Sequence, residues 1–261
     1  MELWHMSGAG NDFMVMDARG MELDFEALAI KLCAQTGADG FMAVGETDQA
    51  DFQLHFYNSD GTRGEMCGNG ARCICKFAYD HQIAGESMTV LTDAGIVYGW
   101  RLDENLYRVR LNNPGVVDLE RKPGVAYVEL GNPGVPHGIT QVPGLCWEKA
   151  PQLWEFAKGL RHDPAFPKGA NINLYTHLEP GVVRVLTFER GVEDYTLACG
   201  TGCGSVAVTL WASGQLPGGV LKACNRGGDL TVTVEAEGTE IKNLLLEGPA
   251  QVVKVYEYDR L

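Results

Sequence analysis

Two stretches of this chain repeat each other half its length apart. Met66-Cys67-Gly68-Asn69-Gly70-Ala71-Arg72-Cys73 and Ala198-Cys199-Gly200-Thr201-Gly202-Cys203-Gly204-Ser205 both read Cys-Gly-polar-Gly, and both run on into apolar, helix-compatible sequence. Each cysteine stands 11 residues after a phenylalanine that ends an apolar segment, Leu54-His55-Phe56 and Val185-Leu186-Thr187-Phe188. An offset of 132 carries Cys67 onto Cys199, Phe56 onto Phe188, Gly68 onto Gly200, Gly70 onto Gly202 and Gly95 onto Gly227. In a chain of 261 residues this predicts two copies of one fold, each presenting a cysteine at a helix start.

The rest of the pattern fills in those copies. Leu3–Met16 reads strand, turn, strand, with Ser7-Gly8-Ala9-Gly10-Asn11-Asp12 as the turn. Asp24–Ala34 is helical, with Phe25, Leu28, Ala29 and Leu32 on one face and Asp24 as cap. Strands are expected over Phe41–Val44, Phe52–Tyr57, Val125–Leu130, Gly138–Val142, Asn171–Leu174, Val182–Phe188, Leu230–Glu235, Asn243–Glu247 and Gln251–Tyr256. Helices are expected from Gly70, from Gln152 and from Gly202. Asn112-Asn113-Pro114-Gly115 is the boundary, giving an N-terminal lobe 1–114 with Cys67 and a C-terminal lobe 115–249 with Cys199. Many short strands with few helices make the class α+β.

A net charge of −13 argues against nucleic-acid or anionic-membrane surfaces, which want basic patches. Without a signal-like leader or a long apolar run, the expected location is the cytoplasm. The eight cysteines are then expected as reduced thiols. Cys33, Cys146 and Cys224 read as small buried hydrophobes, and Cys73, Cys75 and Cys203 as helix interior.

Cys67 and Cys199 differ in their surroundings. A cysteine at a helix start faces unpaired N–H groups and the positive end of the helix dipole, which favour thiolate. Glycines beside it let a carboxylate reach the same N–H groups. Two such cysteines, one per half, suit two-base inversion of a stereocentre: a thiolate removes a proton from one face of a carbon and a thiol delivers one to the other. The alternatives are a zinc site built from Cys67, Cys73, Cys75, Cys199 and Cys203, or thiol redox chemistry. No Cys-x-x-Cys pair supports either. No nucleotide, flavin, haem or metal motif is present, so no cofactor is expected.

The sequence resembles the diaminopimelate epimerase family, among the cofactor-independent two-cysteine amino-acid epimerases and racemases. Gly8-Ala9-Gly10-Asn11-Asp12-Phe13 is similar to the family's N-terminal motif. Tyr57-Asn58-Ser59-Asp60-Gly61 with Met66–Cys73 is similar to its first cysteine motif, and Glu189-Arg190-Gly191 with Thr196–Gly202 to its second. The resemblance implies interconversion of LL- and meso-diaminopimelate, with Cys67 and Cys199 as the acid/base pair. It implies Gly68, Asn69, Gly200 and Thr201 on the α-carboxylate, and Asn11, Asn58, Asn171, Glu189 and Arg190 on the remaining polar groups. It further implies two lobes related by pseudo-twofold symmetry, each a sheet wrapped about a central helix. The last strand, 250–261, would return to the first lobe. The only partner implied is the amino-acid substrate; monomer and homodimer both stay open. The family's Gly-Asn-Pro-His reads here Gly131-Asn132-Pro133-Gly134-Val135-Pro136-His137. Aligned on Gly-Asn-Pro, Asn132 takes the asparagine's role; aligned on Pro-His, Val135 stands there and His137 lies near the site.

Overall fold

The computed structural model describes residues 2–64 and 67–257; Met66, which opens the first cysteine motif, and the end of the expected returning strand, 258–261, lie outside them. The chain divides into two compact lobes. One holds the residues up to Val109 and those from Glu247 onward, the other Arg110–Leu246.

The first lobe contains β1 (Glu2–Gly8), β2 (Asn11–Asp17), α1 (Phe25–Thr36), β3 (Gly40–Gly45), β4 (Phe52–Asn58), α2 (Gly68–Asp80), β5 (Ser87–Thr92), β6 (Gly95–Arg101) and the start of β7 (Leu106–Leu111). The second contains β8 (Pro114–Lys122), β9 (Val125–Gly131), β10 (Gly134–Gln141), α3 (Ala150–Arg161), β11 (Asn171–Glu179), β12 (Val182–Glu189), β13 (Asp194–Thr196), α4 (Gly200–Ala212), β14 (Val220–Cys224), β15 (Leu230–Glu237) and most of β16 (Glu240–Pro249). The last strand, β17 (Gln251–Glu257), pairs with β1.

Each lobe repeats one pairing scheme. In the first, β17–β1 and β1–β2 are antiparallel, β2–β3 parallel, β3–β4 antiparallel, β4–β5 parallel and β5–β6 antiparallel. In the second, β8–β9 and β9–β10 are antiparallel, β10–β11 parallel, β11–β12 antiparallel, β12–β14 parallel and β14–β15 antiparallel. β17 thus stands in the first lobe where β8 stands in the second.

Successive strand residues face opposite sides, and both sides of these sheets are covered. On one side α1 packs Leu28, Ala29 and Leu32 against Leu3, Met14, Met16 and Phe41. Asp24 caps α1 by accepting from Ala27 N, and Gly37, at φ +76°, closes it onto the Cys33 carbonyl, a conformation glycine adopts without a Cβ penalty. In the second lobe α3 packs Ala157 and Leu160 against Ile172, Leu174, Leu186 and Phe188. On the other side lie α2 and α4. Every residue of α2 from Gly68 to Ala78 is buried, as is Gly202–Leu210 of α4, as the central helix of a wrapped sheet requires.

Three local readings change. The first reversal is a two-residue turn, Ala9-Gly10, with φ +55° and +88°, the left-handed geometry that a tight hairpin needs. Asn11 is therefore a strand residue paired with Gly8. α2 and α4 start two residues earlier than expected, at Gly68 and Gly200, because each cysteine sulfur caps the helix and offsets the poor helix propensity of glycine. Finally, the repeat slips by one residue between strand and helix. The helices correspond at 132, but eight residues separate Asn58 from Cys67 and nine separate Glu189 from Cys199. A Cβ on Gly70 would touch Met42 and Phe13, and one on Gly202 would touch Asn173 and Thr187. Met42 pairs with Phe56 and Asn173 with Thr187. Phe56 thus corresponds to Thr187 and not to Phe188, whose ring meets Trp154 of α3 at 5.8 Å on the opposite face.

Candidate active site

In the first lobe Cys67 caps α2 from extended backbone (φ −108°, ψ 139°), and its Sγ accepts from Gly70 N at 3.2 Å. The sulfur is thereby held over the helix's first turn, where N–H groups converge and the dipole is positive. Asn69, in that turn, donates Nδ2 to Oδ1 of Asn11 at 2.5 Å. Asn11 in turn donates to Asp39 Oδ2 at 3.3 Å, and the same oxygen accepts Asp12 N at 2.9 Å. Asn58, the last residue of β4, pairs with Gly40, next to Asp39 in the chain, and donates Nδ2 to Thr62 Oγ1 at 3.0 Å. Asn11 and Asn69 are thus in direct contact, with Asn58 at the same end of the sheet.

Sequence reasoning gave no role to Arg72. It is fully buried and donates to the Gly68 carbonyl (3.1 Å), Asn69 Oδ1 (2.9 Å) and the Pro249 carbonyl (3.3 Å). It fixes which way the Asn69 amide points, and through it Asn11. Arg72→Leu strands these buried acceptors and should cost about 2–4 kcal/mol. A lower urea midpoint at unchanged m would show this; an unchanged midpoint would deny the clamp.

In the second lobe Cys199 caps α4 in the same way (φ −122°, ψ 112°), accepting from Gly202 N at 3.3 Å, with Thr201 Oγ1 at 3.5 Å. It is buried, at 8% exposure. Burial pushes its thiol well above the ordinary range, and the Glu189 carboxylate pushes it further; the Thr201 and Gly202 hydrogen bonds oppose both. Asn171, the first residue of β11, accepts Arg190 N at 2.7 Å, and Arg190 donates Nη1 to the Lys168 carbonyl at 3.1 Å. Asn171, Glu189 and Arg190 therefore meet at the sheet end that carries the α4 N-terminus.

His137 pairs with Asn171 across β10–β11 and is fully buried. Val135, two residues earlier, shares its face. Asn132 is exposed in the turn between Gly131 and Gly134, and no hydrogen bond among the described residues ties its side chain to the other candidates. Two buried neighbours of His137, Asn173 and Thr187, were missed by sequence reasoning. Asn173 Nδ2 reaches His137 Nδ1 at 3.1 Å, and Thr187 Oγ1 donates to Asn173 Oδ1 at 2.9 Å.

Burial and the Arg190 cation lower the His137 pKa from 6.5 to about 3. The unfolded chain takes up this proton as pH falls through 6.5, and the folded chain does not until about 3. Folding stability is therefore lost progressively as pH falls across that window, by at most about 1.4 kcal/mol per pH unit. His137→Phe should flatten the slope between about pH 6.5 and 5, above most carboxylate titration. Parallel slopes for the two proteins in urea titrations would contradict the buried neutral ring.

Among the described residues no three His, Cys, Asp or Glu side chains gather as metal ligands, and no helix is long and apolar enough to cross a membrane.

A family model described as diaminopimelate epimerase matches residues 3–114 and 130–253. The diaminopimelate epimerase of Aquifex aeolicus is 34% identical over 98% of this chain and 96% of its own length. That of Methanothrix thermoacetophila is 33% identical over 97% and 94%. Among solved structures, a PhzF-family phenazine biosynthesis protein of Bacillus anthracis superposes with a TM-score of 0.73 at 14% identity, covering 98% of both chains. A hydroxyproline epimerase of Agrobacterium vitis, solved with trans-4-hydroxy-L-proline, gives 0.72 at 16%, covering 98% of this chain and 90% of that one. At such identities the two structures speak for the fold.

Proposed function

The chain belongs to the diaminopimelate epimerase family, and on that premise we propose that it interconverts LL- and meso-diaminopimelate with Cys67 and Cys199 as its acid/base pair. The observation that carries this reading is the duplicated cap. Each lobe ends a strand, turns, and sets one cysteine sulfur on the first N–H groups of a glycine-fronted helix. Each cap favours the thiolate, at Cys199 against the burial that opposes it, and the two together give a thiolate and a thiol for opposite faces of one α-carbon.

In one direction a thiolate takes the α-hydrogen and the other thiol protonates the opposite face; in reverse the roles exchange. The N–H groups at Gly68-Asn69 and Gly200-Thr201 bind the α-carboxylate, and Cβ-free glycines permit that approach. Asn11, Asn58, Asn171, Glu189 and Arg190 hold the other polar groups of the substrate, with His137 beside them. The chain's own groups supply the acid and the base, and the family to which it belongs works without pyridoxal phosphate. The product serves lysine and cell-wall precursor synthesis, and the cytoplasm is the location proposed for the enzyme.

Incubation with LL-diaminopimelate in deuterated water tests the reading. The meso isomer should appear with deuterium at the inverted carbon. Meso isomer without label, or no turnover of diaminopimelate alongside racemisation of another amino acid, would refute it.

A further inference from the structure

The lobes solve one packing problem in two ways. Beneath the first turn of α2 the sheet presents Phe13, Met42 and Phe56. The Phe13 and Phe56 rings lie 5.9 Å apart, and Phe13 and Met42 lie under Gly70. Beneath the first turn of α4 the corresponding positions are His137, Asn173 and Thr187, all buried, at 0%, 0% and 2% exposure. The first lobe shows that the fold accepts an apolar plug here. Burying three polar side chains instead costs stability wherever a polar atom is left without a hydrogen bond, so the exchange points to a use beyond packing.

Their hydrogen bonds leave one arrangement. The Gly138 carbonyl can only accept, so the Asn173 atom 3.2 Å from it is the amide nitrogen. That same nitrogen lies 3.1 Å from His137 Nδ1, which must therefore accept and carry no proton. Thr187 donates to the remaining Asn173 oxygen and pins the amide from its other end. In the neutral ring the proton then sits on Nε2, which is buried without a hydrogen-bond partner among the described residues. The triad underlies the helix turn that Cys199 caps, since a Cβ on Gly202 would lie 2.3 Å from Asn173 Oδ1.

We propose that Asn173 and Thr187 are positioning residues that lock His137 as the Nε2–H tautomer, so that it serves the second lobe's chemistry as a hydrogen-bond donor and not as a base. This deepens the epimerase reading and rests on it. With Nδ1 occupied and Nε2 protonated, the ring has no lone pair with which to take the α-hydrogen.

Two measurements test it, and the first needs no activity. Proton–nitrogen correlation of histidine-labelled protein, with His137 assigned by its loss in His137→Gln, should show a neutral Nε2–H ring through roughly pH 5–8, where an ordinary imidazole titrates. Asn173→Asp, which offers an acceptor to Nδ1, should move the proton there; if that variant does not fold, the wild-type spectrum still decides. An Nδ1–H ring, or a ring titrating in that range, overturns the proposal while leaving the epimerase reading intact. The second is kinetic. Glutamine keeps a donor near the Nε2 position and cannot act as a base. His137→Gln should therefore keep kcat about 10- to 100-fold above His137→Phe, the usual weight of a hydrogen bond to a charged group. Equal loss in both variants would mark His137 as a proton carrier and overturn the donor role. Absence of epimerisation in the wild type would instead overturn the function.

Discussion

Cys67→Ala and Cys199→Ala should each lower epimerisation by about 10³-fold or more, since each removes one of the two proposed proton-transfer groups from the inversion. Removing a proton from one face needs only the thiol on that face and the helix start that holds the carboxylate. Each variant should therefore still exchange the α-hydrogen of one stereoisomer slowly and with retention, and the two should prefer opposite stereoisomers. Serine should rescue poorly, because a useful base needs a pKa near the working pH and a hydroxyl lies far above it. Deuterium uptake into LL- and meso-diaminopimelate, followed separately, reads both effects. Near wild-type epimerisation by either alanine variant would remove the two-base assignment, and with it the meaning given to the repeat.

The repeat was legible because glycine and cysteine are conspicuous and the helix starts they form are fixed in spacing. Its one-residue slip was not, because the extra residue lies in the short connection between β12 and α4 that contains β13, where spacing leaves no periodic trace. β8 and β14 escaped for different reasons. β8 is an edge strand that opens on a proline and leaves Val116, Val117 and Leu119 exposed, so neither face reads as core. β14 is five residues, too short for its alternation to stand out. The polar triad was hidden by a rule that usually serves well. Asn171-Ile172-Asn173-Leu174 alternates polar and apolar, the pattern of a strand with one wet face. Here α3 covers one face and α4 the other, so the asparagines are interior. Arg72 was hidden similarly: an arginine in a helix reads as surface until the helix proves to be wrapped on all sides.

The two helix-start glycines that correspond at the offset of 132 should respond differently to the same substitution, with loss of stability only at Gly202. A Cβ on Gly70 would meet Met42 Sδ at 3.4 Å, Phe13 Cζ at 3.5 Å and Cys67 Sγ at 3.7 Å, all ordinary contacts. Alanine is also favoured over glycine in a helix by about 1 kcal/mol. Gly70→Ala should therefore leave stability unchanged or raise it by up to about that amount. A Cβ on Gly202 would stand 2.3 Å from Asn173 Oδ1 and 3.1 Å from Thr187 Oγ1. Asn173 cannot yield, because Thr187, Gly138 and His137 hold its amide from both ends. Overpacking of about 1–3 kcal/mol should outweigh the propensity gain. The clash would also disturb the turn that Cys199 caps, so activity should fall with stability. Asn173→Ala removes the obstructing oxygen, and in the double variant the Gly202→Ala penalty should shrink, giving a coupling of about 0.5–3 kcal/mol in a double-mutant cycle. Urea titrations of the single and double variants supply every number needed. Additivity of the two substitutions, or equal effects at Gly70 and Gly202, would mean that the polar triad does not bear on α4 and that the asymmetry between the lobes has no energetic weight.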